Sequence, residues 1–382
     1  MNTAFRFILL FIPIFALAAA VVVIEQRRAA SAAGTAAGTT EGGTIVPAAR
    51  AETVAAPVLT PRQRELEAEL VRLGEGFDGV VGIAVADASN AAVVGHDMQR
   101  RYPQQSVSKL WVAMTALAQV DEGMLDLAEP VVIRREDLTL FHQPIRDIVR
   151  RDGAFSTDYD DLLERAITRS DNTANDRLLR RVGGADAVQA FLDDRGVEGV
   201  RFGTDERTKQ SAIAGLTWDQ SYSYRRRFYE ARDGVPDTIR RQAYEAYLAN
   251  PIDGATPAGI ASALLRLAEG ELLSPASTRR LIATLEATRS GPRRLKGGVP
   301  PGWSFGHKTG TGQALGHEQS GYNDVGVLRA PDGSVYSLVV MIARTTASVP
   351  DRMELMQQVT RATVAFHEAK PAAADPASRS IS

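Results

Sequence analysis

Five side chains stand out for the covalent chemistry they allow: Ser106, Lys109, Ser170, Asn172 and Lys308. Ser106-Val107-Ser108-Lys109 sets a hydroxyl and an amine three residues apart, which on a helix is one face. A hydroxyl at a helix start feels the unpaired backbone N–H groups. A desolvated amine beside it can lose its proton and act as the activating base. Ser170-Asp171-Asn172 adds a second hydroxyl, able to pass a proton from the nucleophile to a leaving nitrogen. Its Asn172 amide can bond a substrate carbonyl and help to hold Lys109. In Lys308-Thr309-Gly310-Thr311-Gly312, Lys308 and Thr309 can bind a carboxylate, and Gly310 lets the backbone approach. The N–H of Thr311 then pairs with that of Ser106 as an oxyanion hole. The chemistry is acyl transfer through a serine ester.

Taken alone, each string has a plainer reading. A serine before a helix is a common cap, a lysine is usually solvated, and glycines can mark a bulge. With 21 serines and five lysines in 382 residues, chance supplies roughly 0.3 serine-x-x-lysine matches, so one match is informative without being decisive. The order decides. The three strings follow one another at separations of 64 and then 138 residues, from Ser106 to Ser170 to Lys308.

Pattern also places the scaffold around these groups. Leu66, Leu70, Val71 and Leu73 repeat as a helix closed by Gly74. Val80 to Ala86 is a near-continuous apolar run, a buried strand, and Ala91 to Val94 returns beside it after a turn at Asn90. Trp303 to Gly306, Asp324 to Arg329 and Val335 to Ala343 are further strands, the last two joined by a Pro331-Asp332-Gly333 hairpin turn. A last helix runs from about Pro350 to His367. Between these ends the chain is mostly helical. One helix spans Val107 to Gln119, one follows Asp171 up to Gly183-Gly184, one carries Val188, Phe191 and Leu192, and one starts at Thr256-Pro257 and stops at Gly270. Strands at both ends with helices between predict one antiparallel sheet and an inserted helical lobe, an α+β fold.

The apolar fraction of 44% and charged fraction of 24% are those of a globular protein. A net charge of −2 argues against a nucleic-acid partner. The chain has no cysteine, which excludes disulfides, zinc–thiolate sites and thiol catalysis. No His or carboxylate spacing suggests a metal, and the chemistry calls for no cofactor. Arg6 precedes an 18-residue apolar run, Phe7 to Ile24, broken only by Pro13. That length lies between a signal segment and a short membrane span. Residues 1–28 therefore predict export, to a periplasmic space, as a cleaved signal or a retained inner-membrane anchor. Residues 29–58, rich in Ala, Gly and Thr, read as a flexible tether, and 369–382 as a disordered tail. The catalytic domain is expected over 59–368, in a monomer.

Beyond the three strings, several stretches add to a pattern. Val182-Gly183-Gly184, Phe191-Leu192, Gly270-Glu271-Leu272-Leu273, Pro300-Pro301-Gly302-Trp303 and Asn323-Asp324 stand at recognisable places. Over about residues 62 to 367 the chain resembles the class A serine β-lactamases of the penicillin-recognising family. The resemblance implies an antiparallel sheet flanked by helices, an all-helical lobe, and a site in the cleft between. It also implies a glutamate on an omega loop that activates the deacylating water. Ungapped counting from Ser170 puts Glu206 there, 36 residues on. The family's Glu-x-x-Leu-Asn becomes Glu206-Arg207-Thr208-Lys209-Gln210, so Gln210 stands for the water-holding asparagine. A surface glutamate is the plainer alternative for Glu206. The family's arginine just after the third strand has no counterpart between Gln313 and Tyr322.

Residues 207–253 exceed the usual class A length and carry Trp218, Tyr222, Tyr224, Phe228 and Tyr229. They read as an enlarged loop with a helix near Asp237 to Ala249, packing over the cleft. Such aromatics are more often core than substrate contacts. His307 and His317 are expected at the site edge or surface, His142 and Gln143 near the cleft mouth, and Arg225-Arg226-Arg227 on a solvated helix face. The expected substrate is a β-lactam, or a muropeptide if the protein is a D,D-peptidase. A third reading is a non-catalytic, membrane-tethered sensor.

Overall fold

The computed structural model describes residues 58–224 and 226–369. The Phe7–Ile24 run, the tether up to residue 57, Arg225 and the tail from residue 370 lie outside them. Among the described residues no helix is long and apolar enough to cross a membrane.

Helix α1 (Pro61–Glu75) begins at Thr60, whose hydroxyl accepts from the Gln63 N–H, with Pro61 pre-set for the first turn. It runs past Gly74 and ends against Gly76. Strands β1 (Val80–Asp87) and β2 (Ala92–His96) follow as an antiparallel pair. Far along the chain come β3 (Ser304–Thr311), β4 (Glu318–Arg329) and β5 (Val335–Thr345), the last two joined through the Pro331-Asp332-Gly333 turn. The sheet order is β2-β1-β5-β4-β3, so the first and last of these strands lie side by side, as expected from their distribution.

Period-two side chains explain why this sheet is covered twice. On β5, Leu338, Val340 and Ile342 pack under α1 and α12 (Val349–Glu368). Val339, Met341 and Ala343 face the helical side. Helix α2 (Lys109–Asp121) runs through that second core, and every residue from Lys109 to Ala118 is buried. A helix buried all round shows no apolar stripe, hence the weak periodicity of its sequence. Around it lie α4 (Tyr159–Thr168), α5 (Asn172–Arg181), α6 (Gly184–Asp194), α10 (Pro257–Ala268) and α11 (Pro275–Glu286), with the short α3 (Ile145–Asp152) alongside.

Strand β4 anchors its surroundings through two adjacent residues that point to opposite faces. Asn323 donates to the carbonyls of Pro103 and Gln104, at 2.7 and 3.0 Å, and so holds the segment leading into Ser106. Asp324, fully buried, meets His307 Nδ1 at 2.8 Å and accepts from the Leu295 N–H at 3.1 Å. His307, on β3 itself, is therefore a buried strut on the strand's far face and not an edge or surface residue. Alternation along the strand turns its neighbour Lys308 to the lobe side.

The segment 207–253 folds into helices: α7 (Glu206–Ile213), α8 (Arg227–Asp233) and α9 (Asp237–Ala249). The expected omega loop thus begins as a helix, capped by the Asp205 carboxylate, which accepts from the Thr208 N–H. Trp218, Tyr222, Phe228 and Tyr229 interlock edge-to-face with Phe141. Of the triple arginine, Arg227 opens α8 and Arg226 lies over the Tyr229 ring, 5.6 Å away.

Two variants test these attachments. A Cβ at Gly310 would lie 2.4 Å from the Gln104 carbonyl oxygen, so Gly310→Ala should cost about 1–3 kcal/mol in urea unfolding; an unchanged midpoint would refute the close approach. Asp176, buried on α5, accepts from the Glu206 N–H at 3.1 Å, while its second oxygen is buried without a partner. Burial, then the Asp205 and Glu206 carboxylates, push its carboxyl from 3.8 up to about 7. Between those values the native state keeps a proton that the unfolded chain has lost, so stability falls as pH rises. Asp176→Asn keeps the acceptor and removes the titration. Its melting temperature should exceed wild type by a margin that widens from about pH 4 to about pH 7 and then stays constant. Parallel curves would be the contrary result.

Candidate active site

Ser106 lies in a single 3-10 turn, Gln105–Ser108, that leads directly into α2. Gln105, the residue before it, has φ of +55°, a left-handed conformation that costs energy for a side chain of this size. The turn is held from outside. The Gln105 N–H donates to Asp253 at 2.9 Å, and its side-chain amide donates to the Tyr247 hydroxyl at 2.7 Å. One helical turn on, Lys109 Nζ donates to Ser106 Oγ at 2.7 Å and to Asn172 Oδ1 at 2.7 Å. Lys109 is 1% exposed. Burial lowers its affinity for a proton, with the Glu206 carboxylate opposing, so the net shift is downward. An amine in that setting can accept the Ser106 proton.

The second string caps α5. Asp171 accepts from the Ala174 N–H, and its other oxygen takes the Ile145 N–H. That fixes Ser170 in a left-handed turn, φ +56°, with its hydroxyl facing Lys308 Nζ at 3.0 Å. Asn172 donates through its amide to the Leu140 carbonyl at 2.8 Å and through its N–H to the His142 carbonyl at 2.9 Å. His142 lines the cleft, as expected. Gln143 does not: it is buried, bridging Thr139 and Thr173.

Lys308, Thr309, Gly310 and Thr311 arrive on β3. Lys308 is fully buried, and burial, then Lys109 and Arg294, lower its proton affinity strongly. A bound carboxylate would reverse that effect. Arg294, which sequence reasoning misses, lines the same cleft. It precedes β3 and donates to the carbonyls of Gly310 (3.0 Å) and Asn323 (2.6 Å) and to Thr311 Oγ1 (2.7 Å), stacked 3.8 Å over Tyr322. No local pattern marks it, because its partners lie 16 to 29 residues on. Ser290 Oγ, also on the cleft, is 2.8 Å from Thr309 Oγ1.

Glu206 is 3% exposed and lines the same cleft as Ser106, which rules out the surface alternative. Its Oε1 is 3.8 Å from Lys109 Nζ and 3.0 Å from Lys209 Nζ; its Oε2 accepts from the Gln210 amide at 3.1 Å. Burial favours the protonated acid, but Lys209, Lys109 and the hydrogen bonds outweigh it and hold the carboxyl down to about 2. Gln210 also reaches the Gln105 side chain at 2.9 Å and takes a bond from Gln313 at 3.0 Å. Tyr229, expected in the core, both packs on Phe141 and lines the cleft, as does Arg232 of the same helix. Lys209 is the other residue that sequence reasoning passes over. Its signal is a lysine where the family pattern has leucine, in a chain with five lysines.

The arrangement combines a serine hydrogen-bonded to a desolvated amine, a second hydroxyl beside the buried Lys308 side chain, and a buried carboxylate 3.8 Å from the first amine. The comparisons agree with that chemistry. The model of the Beta-lactamase enzyme family matches residues 63–367. Extended-spectrum β-lactamase PER-1 of Pseudomonas aeruginosa is 28% identical over 302 residues, covering 79% of this chain and 87% of that one. An ancestral class A β-lactamase structure aligns with a TM-score of 0.62 at 29% identity, over 78% of this chain and 99% of the other. The TLA-1 extended-spectrum β-lactamase, at 21% identity and TM-score 0.65 over 80% and 99%, shares the fold. The chain belongs to the β-lactamase enzyme family, with the fold of its class A serine members.

Proposed function

We propose that the protein hydrolyses β-lactams through an ester on Ser106. The Lys109 amine takes the Ser106 proton as Oγ attacks the ring carbonyl carbon, and the N–H groups of Ser106 and Thr311 receive the developing oxyanion. When the ring C–N bond breaks, the proton passes through the Ser170 hydroxyl to the leaving nitrogen. Asn172 holds the acyl side-chain amide, and Lys308, Thr309 and Arg294-anchored Thr311 hold the substrate carboxylate. Glu206 then takes a proton from water as that water attacks the ester carbonyl, and Ser106 leaves with a proton restored.

The observation that carries this reading is the placement of Glu206. A buried carboxylate beside the nucleophile's amine serves hydrolysis of the ester, a step that transfer to a peptide amine does not need. The apolar N-terminal run supports export to the periplasm, anchored or cleaved, and the catalytic domain of about residues 59–368 is read as a monomer.

Intact mass spectrometry with benzylpenicillin separates the carboxyl-independent step from the carboxyl-dependent one. Wild type should show a transient adduct, Glu206→Gln an adduct that persists at least about a hundredfold longer, and Ser106→Ala none. A persistent wild-type adduct with release of terminal D-alanine from a muropeptide would instead make the protein a D,D-peptidase; binding without an adduct would make it a sensor. Arg294→Ala should raise KM for benzylpenicillin at least about tenfold, since a carboxylate bond of roughly 1.5–3 kcal/mol loses its support. An unchanged KM would remove Arg294 from carboxylate binding.

A further inference from the structure

Lys209 is the buried charge that the reaction above leaves without a task. It stands one turn after Glu206 on α7, so the two share a face. On an exposed helix such a pair contributes little. Here the side chains are 2% and 3% exposed, the Lys209 Nζ to Glu206 Oε1 distance is 3.0 Å, and a second carboxylate, Asp253, stands at 3.2 Å. Burying an ammonium is costly, so the geometry must return that cost through both carboxylates. Asp253 is in turn bonded to the Gln105 N–H and the Tyr247 hydroxyl, and Lys209 reaches the Gln105 carbonyl at 3.4 Å. One ammonium therefore joins the carboxylate, the turn bearing Ser106, and the segment that closes α9.

We infer that Lys209 is a positioning residue for ester hydrolysis: its ammonium keeps the Glu206 carboxylate oriented and charged. The inference rests on the proposed role of Glu206. Its physical basis is the competition around that carboxylate. From α2 it faces Lys109, from α5 Asp176, from its own helix Lys209 and Gln210, from the α9 segment Tyr247, and from β3 Lys308. Lys209 is the nearest cation. Without it, burial would favour the neutral acid, opposed by Lys109 at 3.8 Å, the Gln210 amide and the charge of Lys308. The same positive charge lowers the proton affinity of Lys109, so it favours ester formation while weakening Glu206 as a base. The residue thus sets the balance between the two halves of the reaction.

The test is the decay of the benzylpenicillin ester, followed by rapid-quench mass spectrometry in single turnover from about pH 4.5 to 8.5. Lys209→Met removes the charge, and Lys209→Met with Asp253→Asn keeps the pocket's net charge as in wild type should the single variant fail to fold; the new amide oxygen can still accept from the Gln105 N–H. Wild type should show no loss of rate on the acid side attributable to Glu206, whose carboxyl stays ionised there. The Met variants should gain an acid limb, losing at least about tenfold in rate from pH 7 to pH 4.5, and Lys209→Arg should restore the wild-type profile. Asp176 titrates in all of them, so the difference from wild type isolates Lys209. A folded Met variant slowed equally at every pH, or unchanged, would overturn the inference. Decay of the Glu206→Gln ester at the wild-type rate would instead overturn the role of Glu206 itself.

Discussion

Three of the five lysines in this chain, Lys109, Lys209 and Lys308, are buried around one cleft, and the carboxylate of Glu206 stands between two of them. Amines and ammonium groups removed from water are tolerable only where carboxylates and hydrogen-bond acceptors meet them at short range. The rest of the site follows from that requirement. Asn172 and Ser106 accept from Lys109, Ser170 and the Thr309 carbonyl from Lys308, and Glu206 with Asp253 from Lys209. The acceptors come from several different elements, so the charges can be buried only when the lobe, the sheet edge and the 207–253 segment are all in place.

The sheet and the lobe are joined by polar contacts as much as by apolar ones. Asn323 on β4 ties down the backbone before Ser106, while Asp324 and His307 brace the far side of β3. Gly310 permits the backbone contact between β3 and Gln104. The apolar core, continuous through the fully buried stretch of α2, makes these contacts rigid, and a rigid frame holds Gln105 and Ser170 in a turn geometry that flexible loops would relax.

Local pattern makes much of this legible. The strand pairs, the Pro331-Asp332-Gly333 turn, the capped helices and the extent of α9 depend on neighbours in sequence, and they stand where pattern puts them. The misreadings share a cause. Pattern sends His307 to an exposed place because nothing nearby in sequence reveals Asp324 beneath it. It passes over Arg294 because the partners of that side chain sit on β3 and β4, and it misplaces Gln143 because its side chain turns inward to Thr173, 30 residues on. Tyr229 serves both the aromatic cluster and the cleft wall, a double role that hydrophobic pattern cannot register.

The order of the chemical groups, the α+β arrangement of elements and the family resemblance all follow from the chain read as a string. They rest on residue identity and short-range periodicity, which are written along it. Folding alone brings Glu206 into a buried place beside Lys109, sets Lys209 against it, and puts Arg294 behind Thr311. Those facts are electrostatic. The strength of a charge pair depends on its distance and on the water excluded around it, and both are set by segments that meet only when the chain has folded.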